Sequence, residues 1–402
     1  MPPQKTSRVS ANIPTLPFSV LVSVASWLLR SEYTKPDSIR CLPQDFYRVY
    51  SKVRSLFESF GYVSSRFFQS LHCAVRHFLS MESLVIDSDN LTVFDDFCHF
   101  FDTELQNVHV TLSLITSSSD FDHLKPSICS LNVKAPTSFD FIIPTSADFC
   151  PNLKHLAIFS ITVFEMRSLV DALNTSTSIY SLNFTTIDLS TDHFHILKEY
   201  LENKSSLKCL SFIGTSLAND KLQYISESLT HNSSLKELRL SHNGINSMDA
   251  HLLADLLSTN ESLCSLNLSY NNIASTGARY LSEALIVNST LRCLDLGSNS
   301  IGDGVQVIAE ALKANSTLAS LSLYDNDIDS NGALCLAMSL QVNTSLRVLY
   351  LGLNMISSSG ANHFVECLKI NKCMGLLDLR CNNIDLELQN YMKELFSKRV
   401  IC

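Results

Sequence analysis

The sequence lacks the short motifs that mark most catalytic and nucleotide-binding sites. It has no glycine-rich phosphate loop of the G-x-x-x-x-G-K-[ST] type, no H-E-x-x-H, no G-x-S-x-G and no cysteine pairs at zinc-binding spacing. His193 and His195 lie two residues apart on a predicted helix, where their side chains diverge, so they do not form a ligand pair. We therefore expect a protein with no catalytic residues, no metal and no cofactor.

Evenly paired cysteines are also missing. The thirteen cysteines are an odd number and are scattered without a C-x-x-C pair, whereas oxidised scaffolds are usually short and evenly paired. Several, such as Cys209 and Cys293, fall within regular apolar patterns, as core or strand residues do. We therefore expect free thiols in a reducing compartment and predict a cytoplasmic location.

The apolar run near the N-terminus is too short to cross a bilayer. This run, LPFSVLVSVASWLL at 16–29, follows Lys5 and Arg8 and so resembles a secretory signal. It is shorter than the roughly 20 apolar residues of a transmembrane helix, and Pro14 and the directly following Arg30 disfavour a signal sequence. The prediction is a protein without a membrane span.

Basic charge is scarce beyond the first eighty residues. Residues 1–80 carry ten Lys and Arg against four Asp and Glu, whereas residues 81–402 carry twenty against thirty-five. An acidic surface repels a phosphate backbone, so we expect no nucleic-acid binding and a mild preference for basic protein partners. The contrast also indicates two modules.

The most regular feature that the chain does have is a repeat of about 28 residues. Each copy reads L-x-x-L-x-L-x-x-N-x-I, followed by a helical pattern and then by Asn-x-Ser/Thr. The clearest copies start 28, 28, 27 and 28 residues apart, at Leu235, Leu263, Leu291, Leu318 and Leu346. A fixed period of this length is typical of a stacked solenoid, which offers an extended surface rather than an enclosed pocket.

Each repeat encodes one strand and one helix. In LKELRL the second and third leucines, Leu238 and Leu240, are two residues apart, so a strand places both on one face. The Asn at the ninth position, such as Asn243, can bond the backbone where the chain leaves the strand. A helical segment with apolar residues at helical spacing follows, as at 277–285. Neither element buries its apolar side alone, so neighbouring repeats must stack.

Weaker copies extend this array toward the N-terminus. Leu153, Ile179 and Leu207 start copies without the Asn, and degenerate strands lie near residues 81, 110 and 128, which gives about twelve repeats. The last one ends with Met392 and Phe396 and a polar C-terminal cap. The predicted domains are therefore a basic helical segment at 1–80, degenerate leading repeats at 81–150 and regular repeats at 151–402.

The period, the Asn column and the helical pattern together resemble the ribonuclease-inhibitor subtype of leucine-rich repeats. This subtype occurs in the inhibitor, in NOD-like receptors and in the Ran GTPase-activating protein. The resemblance implies an α/β horseshoe solenoid with parallel strands on the concave side and helices on the convex side. It implies protein binding without catalysis. Regulation of a small GTPase is an alternative, although the acidic tail of that family is replaced here by Lys398-Arg399-Val-Ile-Cys402.

A second, weaker resemblance lies at residues 16–53. Leu16 and Pro17, then Leu21 and further apolar residues at helical spacing, resemble an F-box, the module that docks a substrate receptor onto the linker subunit of a cullin ubiquitin ligase. The resemblance implies a substrate adaptor with Leu16, Pro17 and Leu21 as docking residues. A helical cap on the first repeat and a targeting sequence are the alternatives.

Five Asn-x-Ser/Thr sequons recur at one phase of the repeat, at Asn232, Asn260, Asn288, Asn315 and Asn343. An Asn can adopt the left-handed backbone conformation that ends a helix, so we predict this structural role for the five residues. The sequons then need no glycans to account for them.

Large polar and aromatic residues between the strand leucines form the candidate binding site. The fifth, seventh and eighth positions of each repeat face away from the core and are mostly small. Tyr and Arg are enriched at binding hot spots because they combine large area with a polar tip. The predicted partner-binding residues are Arg239, His242, Tyr270, Tyr324, Asp325, Tyr350 and Arg380.

Overall fold

The computed structural model describes the backbone of residues 83–87, 109–113 and 130–133 and, from 153 to 402, every residue except 160, 177, 203–205, 218–219 and 398. The chain divides into two compact units, with the first two strands in one and residues 153–402 in the other. Among the described helices, none has the length and apolar character that a membrane crossing requires.

Among the described residues before 153, the structure has three strands. They are β1 (Ser83–Asp87), β2 (His109–Ser113) and β3 (Ser130–Val133), and β1 pairs with β2 in parallel. Their positions match the degenerate strands predicted near residues 81, 110 and 128.

Strand and helix alternate through residues 153–402, as the repeat predicts. The strands are β4 (His155–Ile158), β5 (Ser181–Thr185), β6 (Cys209–Ile213), β7 (Glu237–Arg239), β8 (Ser265–Asn267), β9 (Cys293–Asp295), β10 (Ser320–Ser322), β11 (Val348–Tyr350), β12 (Leu376–Asp378) and β13 (Val400–Ile401). The helices are α1 (Val163–Thr175), α2 (Thr191–Glu202), α3 (Asp220–Thr230), α4 (Ser247–Thr259), α5 (Ala274–Val287), α6 (Val305–Ala314), α7 (Ser330–Leu340), α8 (Ser358–Ile370) and α9 (Leu386–Phe396).

Strands β4 to β13 form one parallel sheet in which each strand pairs with its neighbours in sequence. Equivalent repeat positions pair with each other, so that Leu238 lies opposite Leu266 and Arg239 opposite Asn267. Each column of the repeat therefore becomes a row that crosses the sheet.

The leucine columns form the core between the sheet and the helices. Leu238 and Leu240 are fully buried, and so are the helix residues Ala278 and Leu281. Side chains from both layers meet there because strand and helix each have one apolar side. The fold is thus an α/β leucine-rich-repeat solenoid, as the sequence predicts.

The Asn at the ninth position links successive repeats. The Asn271 side-chain amide donates to the carbonyls of Leu240 and Leu268, and its oxygen accepts the N–H groups of Asn243 and Ile245 in the preceding repeat. Its equivalents, from Asn243 to Asn382, bond in the same way. The prediction that this amide bonds the backbone is confirmed, and the bonds cross from one repeat to the next.

The sequon asparagines form a second ladder, and the conformation predicted for them is wrong. Asn260, Asn288 and Asn315 have φ between −70° and −78°, in the extended region and not the left-handed one. The amide nitrogen of Asn288 donates to the carbonyl of Leu257 one repeat earlier, at 2.7 Å, and its oxygen accepts backbone N–H groups of the following turn. Asn suits this position because its short amide donates from the nitrogen and accepts at the oxygen at the same time.

Those buried amides also explain why the sequons need no glycans. All five sequon asparagines are buried. Their amide nitrogens, the atoms that would carry a glycan, donate to carbonyls of Leu201, Leu229, Leu257, Leu285 and Leu312. Folding and glycosylation therefore compete for the same atom.

Glycines set the spacing between adjacent helices. Gly277, Gly332 and Gly360 lie in α5, α7 and α8, and Gly304 directly precedes α6 at the equivalent position. A Cβ added to Gly304 would lie 2.7 Å from the Cα of Ser275 in the preceding helix. The helices approach closely because this column carries no side chain.

The C-terminal end differs from the predicted polar cap. Met392 and Phe396 are buried, as expected for the last helix, but β13 follows them and pairs with β12 through Val400. Arg399, predicted to be part of a polar ending, instead donates to the carbonyls of Met374, Leu368 and Asn371. This basic side chain thus satisfies backbone carbonyls of the preceding repeat and of the turn that follows it.

Candidate protein-binding face

The strand face is the side of the sheet opposite the helices. It carries the third, fifth and seventh residues of each repeat, because side chains alternate along a strand and the leucines between them enter the core. The strands from β7 to β12 are only three residues long, so this face is narrow across each repeat and long across the array. It corresponds to the concave face predicted from the sequence.

The eighth position forms a rim beside the strand face. In every repeat from β5 to β12 this residue has a positive φ, between 51° and 63°: Thr186, Gly214, His242, Tyr270, Ser298, Asp325, Leu353 and Cys381. From Thr186 to Leu353, the N–H of each donates to the carbonyl of the seventh residue in the next repeat, as from Tyr270 to Gly297 at 2.8 Å. A left-handed conformation costs a non-glycine residue roughly 1–2 kcal/mol, which these inter-repeat bonds offset.

His242 and Tyr270 stack on each other at this rim. Their ring centroids are 4.2 Å apart and their planes differ by 10°. Both side chains are exposed, Tyr270 to 51%. The pair offers a flat aromatic surface with polar atoms at its edge, which suits contact with another protein.

Tyr324 and Tyr350 lie on the strand face or its edge farther along the array. The Tyr324 ring packs over Gly352, where an added Cβ would come 3.0 Å from the ring. Tyr350 ends β11 and lies between Ser322 and Asp378 in the sheet register. Both tyrosines are half-buried, so each has a fixed ring and an accessible surface.

Arg380 is held by a buried carboxylate. Its Nε and Nη2 donate to the two oxygens of Asp378, at 2.9 and 2.6 Å. Burial raises the pKa of the Asp378 carboxyl, but the hydrogen bonds from Arg380 outweigh burial and hold the pKa below its ordinary value. The Arg380 side chain as a whole remains 59% exposed, so it is also accessible to a partner.

Arg239 ends β7 and lies at the fifth position, the middle one of the strand face. Its Nε is 2.7 Å from Oε1 of Glu237 on the same strand. Asn267 and Asp295 follow it in the same row, but they accept the N–H groups of Ser269 and Gly297 and so complete local turns. These two polar side chains therefore serve the fold.

The seven predicted partner-binding residues form two groups. Arg239, His242 and Tyr270 belong to the repeats of β7 and β8, whereas the others belong to the repeats of β10, β11 and β12. Asp325 turns away from the tyrosines at the rim, where it accepts a hydrogen bond from Ser298 at 2.7 Å. The repeat of β9, between the two groups, has the small residues Gly297 and Ser298 at these positions, so no large side chain connects the groups there.

The sequence reading missed two charged residues of this face. Glu237 orients Arg239, and Asp378 orients Arg380. In both pairs an acidic residue precedes a basic one by two positions, on β7 and at the end of β12, and that spacing was the available signal. The predicted docking residues Leu16, Pro17 and Leu21 lie outside the described residues.

The described residues hold no group of three or more His, Cys, Asp or Glu side chains that could bind a metal ion. The eight cysteines between 153 and 402 are free thiols. Burial raises the pKa of the Cys367 thiol to about 11, so this group stays protonated at neutral pH. His193 is buried on α2 and bonds Ser190 and the carbonyl of Ile161, while His195 packs against Tyr224, so the two do not act together.

Comparison with known protein families identifies leucine-rich repeats in part of this chain. A family model described as a leucine-rich repeat matches residues 231–248, 259–282, 287–305 and 314–337. The search of curated proteins found no match.

Two solved structures illustrate the range of similar chains. An actin-binding site 2 structure of leiomodin-1 is 28% identical, with 30% of this chain and 71% of that chain covered and a TM-score of 0.28. An internalin from Listeria monocytogenes is 18% identical, with 80% of this chain and 86% of that chain covered and a TM-score of 0.39.

The family match and the strand–helix alternation together define the class. Residues 153–402 fold as a leucine-rich-repeat solenoid, and repeats of this class commonly bind other proteins.

Proposed function

We propose that residues 153–402 bind a protein partner through the strand face and its rim, without catalysis. The observation that carries this proposal is the set formed by the half-buried Tyr324 and Tyr350 and the exposed Arg380 at or just after β10 to β12. Tyr324 packs over Gly352, and Arg380 is paired with Asp378. Rigid aromatic and Arg side chains give binding energy at low entropic cost. The stacked pair His242–Tyr270 extends the same contact surface along the rim.

The charge of the rim supports a basic partner. Acidic residues dominate the loops and first helical turns that follow β5 to β12: Asp188, Asp192, Asp220, Asp303, Asp325, Asp327, Asp329, Asp385 and Glu387. Among the described residues of these segments, the basic ones are Lys221, His193, His242 and Arg380; His193 is buried, and Arg380 is paired with Asp378. Asp329 and Asp385 also cap helices, so they are fixed in position. A partner with Lys and Arg opposite this rim would gain association rate and specificity.

Affinity measurements on tyrosine variants test the proposal. Tyr324→Ala and Tyr350→Ala should each weaken a partner recovered with the wild-type chain by more than about 1 kcal/mol, because each removes a rigid hot-spot ring. Met338→Ala is the matched control, since Met338 is an exposed residue of similar size on α7. Unchanged affinity for both tyrosine variants would contradict the proposal.

We also propose that the repeats are of the ribonuclease-inhibitor subtype and that the protein is cytoplasmic. The regular helix in each 27- or 28-residue repeat supports the subtype. Free thiols among the described residues and the buried sequon amides support a reducing compartment. Mass-spectrometric mapping of thiols and glycans on the protein from its native cells tests the location. Disulfides or glycans at 153–402 would contradict it.

The adaptor alternative depends on residues 16–53, which lie outside the described residues. A pull-down of the full chain from cells, followed by mass spectrometry, separates this alternative from a partner held by the repeats alone. Recovery of a cullin and its linker subunit, lost on changing Leu16, Pro17 and Leu21, would establish the adaptor. Recovery of a small GTPase with accelerated hydrolysis would instead support the GTPase-regulator alternative.

A further inference from the structure

The edge of the solenoid opposite the acidic rim carries a row of basic side chains. It is formed by the second residue of each repeat, just before the strand begins, and the basic members are Lys154, Lys208, Lys236, Arg292 and Arg347. All five side chains are exposed, and in the described repeats from β4 to β12 no residue in this row is acidic. Basic residues are the minority in this part of the chain, so their alignment is not a reflection of composition.

Backbone hydrogen bonds make this row continuous across the sheet. The N–H of Lys236 donates to the carbonyl of Lys208, and the N–H of Cys264 donates to the carbonyl of Lys236. From β4 to β11 the row crosses seven strand spacings of about 4.8 Å, or about 34 Å in total. Arg292 and Arg347 also donate to carbonyls of the next repeat, Thr317 and Cys373, which holds their guanidinium groups at the edge.

A second row on the same edge is aliphatic. The helices run antiparallel to the strands, so their C-terminal ends lie beside the basic row. Val287, Val342 and Ile370 occupy one column at or just after the ends of α5, α7 and α8, and each is 62–63% exposed. Ile286, 52% exposed, adjoins them. Branched aliphatic side chains this exposed at the same place in several repeats call for an apolar contact.

Small polar residues separate the two rows. Between Val287 and Arg292 lie the buried Asn288 and the hydroxyl residues Ser289 and Thr290. The acidic residues near this edge in the described part of the chain include Glu237, Glu261 and Glu202, the last residue of α2. Glu237 is paired with Arg239, and Glu202 with Lys198. The edge thus combines positive charge with protruding aliphatic side chains, while the opposite rim is acidic.

We propose that this edge binds the surface of an anionic lipid bilayer, with the basic row against the headgroups and the aliphatic row inserted among them. Lys and Arg near an anionic leaflet each contribute to binding, and exposed aliphatic groups enter the boundary between headgroups and acyl chains. Headgroups rearrange freely, so they fit a row whose charges are interrupted by Tyr180, Cys264 and Ala319. An acidic peptide would satisfy the basic row but would leave the aliphatic row in water.

Vesicle cosedimentation of the full chain tests the proposal. We expect binding to vesicles of phosphatidylcholine with phosphatidylserine and little binding to phosphatidylcholine alone. The double change Lys208→Ser with Lys236→Ser should weaken binding about thirtyfold, since each basic residue contributes about fivefold. The matched control, Lys198→Ser with Lys221→Ser, removes the same charge from the helix side and the acidic rim and should bind as the wild type does.

A second variant separates lipid from an acidic protein partner. Val342→Ser with Ile370→Ser keeps the charge and should weaken vesicle binding about tenfold, because two aliphatic groups no longer insert. All the changed side chains are at or near the surface, and thermal unfolding checks that the variants fold. Equal effects of the two lysine pairs would overturn the proposal. Two other results would also overturn it. One is vesicle binding carried by residues 1–80, which would leave both edge variants at wild-type affinity. The other is displacement of the vesicles by polyglutamate together with no effect of the aliphatic change.

Discussion

At the scale of single residues, buried amides hold the repeats together more specifically than the leucines do. Each ladder Asn satisfies donors and acceptors from two repeats, and a buried polar group left without its partner is costly. Leucines fill the core but do not fix which carbonyl meets which N–H. The two Asn columns therefore determine the register of stacking.

Replacing one ladder residue tests this role. Asn271→Ala should lower the free energy of unfolding by about 3 kcal/mol, because it leaves two carbonyls and two N–H groups without their partner. Asn272→Ala is the control, since the neighbouring side chain is exposed. Chemical denaturation measures both, and an equal loss in the two variants would contradict the assigned role.

His193 makes stability depend on pH. Burial lowers the pKa of its imidazole below the ordinary value, so protonation favours the unfolded chain. The contribution is present above pH 6.5, the ordinary value, and is lost as the pH falls toward the lowered pKa of the folded state. Nδ1 lies 2.8 Å from the Ser190 hydroxyl, as suits a neutral ring that accepts there.

Thermal unfolding between pH 7 and pH 5 measures this effect. The wild-type midpoint should fall with pH, and His193→Gln should fall less over the same interval because it cannot take up the proton. His195→Gln, which changes an exposed ring on the same helix, should follow the wild type. A His193→Gln curve parallel to that of the wild type would exclude His193 as the source.

The sequence did not predict the backbone conformation of several residues that the stacking of repeats determines. The period identified the Asn columns, but not the conformation of the sequon asparagines, because their role comes from carbonyls about thirty residues away. The sequence likewise did not predict the positive φ of the eighth position. Residues as different as Thr186, Tyr270 and Leu353 adopt it, since the next repeat imposes the conformation and the residue type does not.

At the scale of elements, strands and helices lie where the periodicity predicts them. Alternation of two marks the strands and apolar spacing of three and four marks the helices, so Leu238 and Leu281 both identify their element. Strand β13 was missed because two residues, Val400 and Ile401, carry no periodicity. The glycine column was also missed, because the distance between two helices is set by both of them.

Filling the glycine column should separate two helices. Gly304→Ala should lower the free energy of unfolding by about 2 kcal/mol, because the new methyl group meets the rigid backbone of Ser275 at 2.7 Å. Gly375→Ala is the control, since its Cβ would meet only the Arg347 carbonyl, at an ordinary 3.4 Å. Denaturant unfolding measures the free energy of unfolding of both variants. A loss for Gly304→Ala no larger than that for Gly375→Ala would contradict close helix packing.

At the scale of the whole repeat array, the strand face, the acidic rim and the basic edge are separate surfaces. Each arises because stacking converts one position of the repeat into a row. The sequence predicted the strand-face residues Arg239, Tyr350 and Arg380, but it did not predict that Glu237 and Asp378 orient the two arginines. It also gave no sign of the basic edge, because Lys208 and Arg292 look unrelated until the register places them in one line.

Site-specific photo-crosslinking in cells tests the central claim, binding of a protein through the strand face. A photoreactive phenylalanine analogue would replace Tyr324 or Tyr350 on the strand face and, as controls, the exposed Gln306 on α6 or His363 on α8. The account predicts a discrete crosslinked protein from positions 324 and 350 and none from 306 and 363. Crosslinks from the helix positions alone would contradict it.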